Sequence, residues 1–180
     1  MRALLIHGYK SPVDAGWLKR LSDGLTSRGF EVASVALGDE TSLATWMEKI
    51  GVGLSGQPEI VVAHSLGTYA LLKTLEVGEW RIKKILLVAG FCREYPSPVI
   101  ERLKHRFVGW FEEPIDFGKI RQRAETWFVF HSDDDDVVPI GEGKFLAEQF
   151  DARLHLLHLK HLGDELGEIE VPEVRDAILG

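Results

Sequence analysis

The stretch Ile60-Val61-Val62-Ala63-His64-Ser65-Leu66-Gly67-Thr68 passes from one kind of periodicity to another. Its first half is a short apolar run rich in β-branched residues, which reads as a buried strand. From Leu66 onward apolar residues recur at Leu66, Tyr69, Ala70 and Leu75, the spacing of a helix. Ser65 falls at the change. A strand that turns sharply into a helix brings two backbones together, and this requires small residues two before and two after the turn. Ala63 and Gly67 occupy those positions; glycine is the usual first residue, and Ala63 is the smallest departure from it. Such a turn strains and exposes the serine, and the free N–H groups at the helix start favour an anion beside it, which makes Ser65 a candidate nucleophile. The alternative role for the same residue is a helix N-cap.

The alternation continues on both sides. Short runs rich in Val, Ile and Leu at 3–6, 31–36, 60–63, 84–89, 127–130 and 153–158 predict six strands. Helical spacing appears at Trp17, Leu18, Leu21 and Leu25, at Leu43, Trp46, Met47 and Ile50, and around 142–150. Gly29 and Gly78 stand where two of these helices would end. Strands alternating with helices predict an α/β fold, a three-layer αβα sandwich around a mostly parallel sheet of about six strands. Residues 91–123 interrupt the rhythm with Pro96, Pro98 and Pro114 among Tyr95, Phe107, Trp110, Phe111 and Phe117. This insertion is either a wall over a pocket or an extra helix packed into the core.

In a parallel sheet the loops after successive strands share one edge, where ligands bind. The fifth predicted strand runs into His131-Ser132-Asp133-Asp134-Asp135-Asp136, which puts carboxylates on that edge. A calcium loop would space its ligands at alternating positions around a central glycine, a pattern absent here. His161 follows the last strand and can reach Ser65 as a base, with an aspartate of the preceding loop orienting its ring. His155 and His158 are expected to fill structural roles within that strand. The first strand ends at His7-Gly8-Tyr9, so the backbone N–H groups of Tyr9 and Leu66 form a candidate two-donor oxyanion hole. His7, Gly8, Trp110 and Phe111 are the candidate substrate contacts.

Composition narrows the partners. A chain of 180 residues suits one domain spanning 1–180. The formal net charge of -7 argues against a nucleic-acid partner, and Lys104-His105-Arg106 reads as a solvated helix face. The single cysteine, Cys92, rules out an internal disulfide; it sits off the elbow and reads as a small buried hydrophobe. No apolar run reaches the roughly 20 residues of a membrane span, and the five-residue run after Arg2 is too short for a signal peptide. A cytoplasmic protein without membrane partner is expected, and a homodimer is compatible with the sequence. No glycine-rich phosphate loop follows the first strand, which disfavours a nucleotide binder; no cofactor and no metal are expected.

Taken together, these residues resemble the α/β-hydrolase superfamily, and within it the small serine hydrolase family of retinoblastoma-binding protein nine. The resemblance covers nearly the whole chain. It is carried by His7-Gly8-Tyr9, by His64-Ser65-Leu66-Gly67, by 110–120, by 132–139 and by His161. Ser65, Asp135 and His161 fall in the chain order of that superfamily. The Asp-x-x-Val-Pro shape ending at Pro139 singles out Asp135 from its neighbours, a choice the resemblance makes and spacing does not. The resemblance implies a cap-free, flavodoxin-like version of the hydrolase fold. It also implies a carboxylesterase-like serine hydrolase that cleaves a small-molecule ester, thioester or amide through a Ser-His-Asp triad and an acyl-enzyme. Lys160 stands before the base where a small residue is common. The alternative is a weakly active or inactive member of the fold that serves as a protein-binding module through the aromatic insertion around Trp110 and Phe111.

Overall fold

A computed structural model describes residues 1–11, 14–37, 40–97, 101, 104–162 and 169–180. Six strands form one sheet: β1 (Arg2–Ile6), β2 (Glu31–Val35), β3 (Ile60–His64), β4 (Ile82–Val88), β5 (Ala124–Ser132) and β6 (Leu154–Leu157). Their order is β2-β1-β3-β4-β5-β6 and every pairing is parallel. The central strands are apolar on both faces because both are covered: β3 is buried along its whole length. Helices α1 (Gly16–Thr26) and α6 (Pro172–Leu179) cover one face with Trp17, Leu18, Leu21, Leu25, Val174 and Ile178. The other face carries α2 (Leu43–Ser55), α3 (Leu66–Val77), the short α4 (Phe117–Ile120) and α5 (Ile140–Phe150).

The chain departs from β1 to β2 on one side and returns to β3 on the other. The loops after β1 and β3 therefore diverge at a switch point, where open α/β sheets leave a crevice. In register, Ile6 lies opposite Ala63 and Ala63 opposite Leu87, which brings the ends of β1, β3 and β4 to one level.

The six expected strands are all present. β5 begins three residues earlier than its apolar run, because Ala124 and Thr126 pair with Ile82 and Lys84 although their side chains are not core. Helix α6 went unread: its only signals are Pro172 at the first turn and the pair Val174 and Ile178. His158 lies beyond the end of β6, exposed, with Nδ1 2.7 Å from Asp133 Oδ1, so its role within the strand is corrected; His155 lies in β6 and stacks on Phe130. Gly78 ends α3 in extended backbone instead of a left-handed cap, with the Trp80 indole where a side chain would stand. His105 and Arg106 are exposed, as a solvated face requires. Pro98 of the insertion and Gly163 after His161 lie outside the described residues.

The insertion plays both of its expected roles. Phe107, Trp110, Ile115 and Ile120 are buried in the core, and residues 107–112 also wall a cavity at the strand ends.

Candidate active site

Ser65 sits between β3 and α3 with φ +52° and ψ −125°, a backbone state that costs a non-glycine residue about 1–3 kcal/mol and persists only where the surroundings enforce it. The enforcement is visible. Ser65 N–H donates to Val88 O at 3.0 Å, and Ser65 O accepts from Thr68 N–H at 3.0 Å. A side chain at Gly67 would place Cβ 2.6 Å from His7 O, and one at Gly8 would place it 2.9 Å from Ser65 Cβ. Both glycines are therefore dictated by close approach, whereas Ala63 fits, fully buried in the core. Ser65 makes no capping hydrogen bond with its side chain. Its Oγ lies 2.8 Å from His161 Nε2.

His161 Nδ1 faces Asp135, 3.1 Å from Oδ1 and 2.9 Å from Oδ2. With Nδ1 carrying the proton toward the carboxylate, Nε2 presents its lone pair to the serine hydroxyl. The Asp135 side chain is fully buried, and its Oδ1 accepts the Val137 and Val138 N–H groups at 2.9 and 2.8 Å. Burial works against its charge, but the His161 N–H and the two backbone donors outweigh burial and hold the carboxyl below its ordinary range. A fully buried His131, on β5, approaches Asp135 Oδ2 at 3.5 Å while bonding Val138 O at 2.9 Å.

The run of four aspartates divides its work. Asp133 meets His158, and Asp134 accepts the Lys160 backbone N–H at 3.0 Å with Lys160 Nζ 3.5 Å away. Asp135 alone of the three reaches His161. Lys160 turns its half-exposed side chain toward Asp134 and away from the imidazole. Lys160 and Leu162 both have left-handed backbone (φ +49° and +55°), which throws His161 out of the loop toward Ser65.

Sequence reasoning missed His64. Its Nε2 donates to the His161 backbone carbonyl at 2.9 Å, and its ring packs edge-on against Trp17. His7, expected to touch substrate, is instead buried behind the oxyanion turn. Its Nε2 accepts Leu37 N–H at 3.1 Å and its Nδ1–H donates to Gly8 O at 2.5 Å. The same Gly8 carbonyl accepts Ser11 N–H at 3.3 Å. Because a trans peptide is planar, fixing this carbonyl aims the Tyr9 N–H the opposite way. Leu66, as the first residue of α3, has an N–H with no intrahelical partner. Gly8 likewise packs under Ser65 and does not line the cavity.

Tyr9, Ser65, Leu66 and His161 open into a cavity of about 500 Å³ that Trp110 and Phe111 help to wall. Trp110 is 5% exposed and donates Nε1–H to Thr41 O at 2.8 Å. Cys92, beyond β4, is buried and its thiol is pushed up to about 12 by burial, which leaves it protonated and inert.

A parallel sheet with a strained serine, an imidazole and a carboxylate at its carboxyl edge defines an α/β-hydrolase fold. The family model described as "Serine hydrolase" matches residues 3–178, and the chain belongs to that family. It is similar to YdeN of Bacillus subtilis strain 168, named as a hydrolase, with 30% identity over 97% of this chain and 92% of that protein. The crystal structure of the ydeN gene product superposes with a TM-score of 0.86 at 27% identity, covering 99% of this chain and 96% of that one. A YdeN-like hydrolase from Pectobacterium atrosepticum shares the fold at 18% identity, with a TM-score of 0.73 over 98% of this chain and 88% of that one. The protein is thus a hydrolase. Among the described residues no helix is long and apolar enough to cross a membrane.

Proposed function

We propose that the protein is a carboxylesterase-like enzyme that hydrolyses a small ester, thioester or amide through an acyl-enzyme on Ser65, and that it belongs to the branch typified by retinoblastoma-binding protein nine. The observation that carries this reading is the unbroken chain from Ser65 Oγ to His161 Nε2 (2.8 Å) and from His161 Nδ1 to Asp135 (2.9 Å) at the floor of a cavity.

The sequence of steps follows from those contacts. His161 Nε2 takes the Ser65 proton as Oγ attacks the substrate carbonyl carbon, and the Tyr9 and Leu66 N–H groups hold the oxygen as it becomes an anion. Asp135 keeps His161 in the tautomer that can accept and stabilises the imidazolium. The intermediate collapses, the leaving alcohol, thiol or amine takes the proton from His161, and the acyl group remains on Oγ. Water then attacks the acyl-enzyme, with His161 as base again, and releases the acid.

The alternative, a binding module that presents Trp110 and Phe111, has little surface to work with, since Trp110 is buried and hydrogen-bonded inward. One buried cysteine suits a reducing compartment, and the cytoplasm is the setting proposed. A fluorophosphonate probe tests the reading directly. Wild-type protein should be labelled and should cleave nitrophenyl acetate, and Ser65→Ala should do neither; equal labelling of the two would overturn it.

A further inference from the structure

The cavity over Ser65 is built to receive carbon. Its walls include Phe91, Tyr95, Phe107, Trp110, Phe111 and Val138, and the polar ends of these aromatics are turned away. Trp110 Nε1–H is spent on Thr41 O and the Tyr95 hydroxyl on Val137 O, at 2.8 and 3.2 Å. Apart from the Tyr9 hydroxyl, which is buried without a hydrogen-bond partner among the described residues, these walls offer ring faces and aliphatic carbon. The ionisable groups on its lining, apart from the tyrosines and His161, are Glu94, Glu112 and His105; no lysine or arginine lines it among the described residues. Lys10 and Arg106 lie 5.6 Å from the centroid of the Tyr9 ring without joining the lining; Arg106 opens onto a separate depression beside Glu40 and Met47, and Arg93 is engaged by Glu142.

We propose that the substrate places an uncharged apolar group in this cavity, and that esters bearing a carboxylate or phosphate near the scissile bond are excluded. The proposal rests on Ser65 acting as the nucleophile. Two exposed carboxylates line it and no cation is among the described lining residues, so an anionic group must shed water and then face like charge. Size sets the other limit. At roughly 30 Å³ for each water-sized heavy atom, a cavity of about 500 Å³ takes about seventeen heavy atoms, which sets an upper limit of about sixteen carbons on the acyl or alcohol portion.

Two nitrophenyl series test this on the full-length protein. The first lengthens an unbranched acyl chain from acetate through hexanoate to palmitate; the second compares nitrophenyl adipate bearing a free carboxylate with its methyl ester. A companion series of alkyl acetates reports whether the cavity takes the alcohol side instead. In one of the two chain-length series kcat/KM should rise about fourfold per methylene (about 0.8 kcal/mol each) over the shorter chains and level off as the cavity fills. The free carboxylate should lower kcat/KM at least about tenfold, and Glu94→Gln/Glu112→Gln should narrow that gap. Flat series of both kinds, or a preference for the carboxylated ester, would overturn the proposal. Fluorophosphonate labelling separates the two layers. A protein labelled at Ser65 but indifferent to chain length and charge defeats the substrate class alone, and a protein that is not labelled defeats both.

Discussion

His64 donates its Nε2–H to the backbone carbonyl of His161 across 2.9 Å, so the residue that precedes the serine holds the residue that receives its proton. The His161 loop is otherwise pinned from outside, by Ser132 Oγ to Leu159 N–H and by Asp134 to Lys160 N–H. His64 is the tie from inside, and it fixes the spacing between elbow and base. A displacement of about 1 Å costs on the order of a hundredfold in a positioned reaction. His64→Leu is therefore expected to lower kcat by about ten- to a hundredfold with KM little changed. His64→Gln, which retains a donor, should recover part of the loss. Steady-state kinetics on the two variants checks this, and equal losses in both would assign His64 to packing alone.

Among the aspartates, Asp135→Asn keeps an acceptor for the Val137 and Val138 N–H groups but gives His161 no anion and can fix the wrong tautomer. An expected fall in kcat of about 10⁴ follows from that change of tautomer. Asp133→Asn touches only exposed His158 and should stay within about threefold of wild type. Asp134→Asn loosens the Lys160 turn and should fall between them. Rates for the three variants assign the acid independently of any family pattern.

Much of this arrangement is readable from the chain. Alternating apolar runs give the sheet, and the abrupt change of period at Ser65 gives the elbow, because both depend on local spacing. That an aspartate of the 133–136 run and His161 meet at the edge that carries Ser65 follows from the sheet's single loop edge, whereas the choice of Asp135 among the four rests on the family resemblance. What spacing cannot give is which neighbour fills a buried side chain's hydrogen bonds. His7, His64 and His131 sit at the ends of apolar strands; their partners Leu37 and His161 follow other strands, and Val138 lies in the loop after His131's own strand. Sequence therefore placed His7 against substrate when it faces backbone. Helix α6 escaped for a different reason: eight residues with two buried positions are too short for periodicity to register.

Those three histidines also predict how stability responds to pH. Burial lowers the pKa of all three, foremost His64, pulled down to about 3 by burial and by the neighbouring His161. In the unfolded chain each would protonate near its ordinary value of about 6.5. Below that pH the unfolded state binds protons that the folded state refuses, so stability is full above about pH 6.5 and falls as the medium is acidified. For His64 alone the loss reaches about 2 kcal/mol by pH 5, or about 4–8 °C in Tm. Thermal melts between pH 7.5 and 5 should show this decline, with a shallower slope in His64→Gln. Parallel slopes would show that His64 is solvated when folded.

The two small residues flanking Ser65 separate necessity from habit. At Gly67 a methyl group would meet backbone, His7 O at 2.6 Å, with the Ile6 side chain 2.9 Å away; a backbone carbonyl one residue past the end of β1 cannot step aside as the end of a side chain can. Gly67→Ala must push α3 from β1, which costs about 1–3 kcal/mol as overpacking does and lowers Tm by about 2–12 °C. The same movement carries Leu66 N–H and Ser65 Oγ out of line, so fluorophosphonate labelling should be lost while the fold survives. Ala63 meets no such barrier. Ala63→Gly gives up only strand preference, about 0.5–1 kcal/mol, and labelling should persist at near the wild-type rate. If instead Gly67→Ala labels normally, the close approach of α3 to the end of β1 is not what holds the serine in its strained turn.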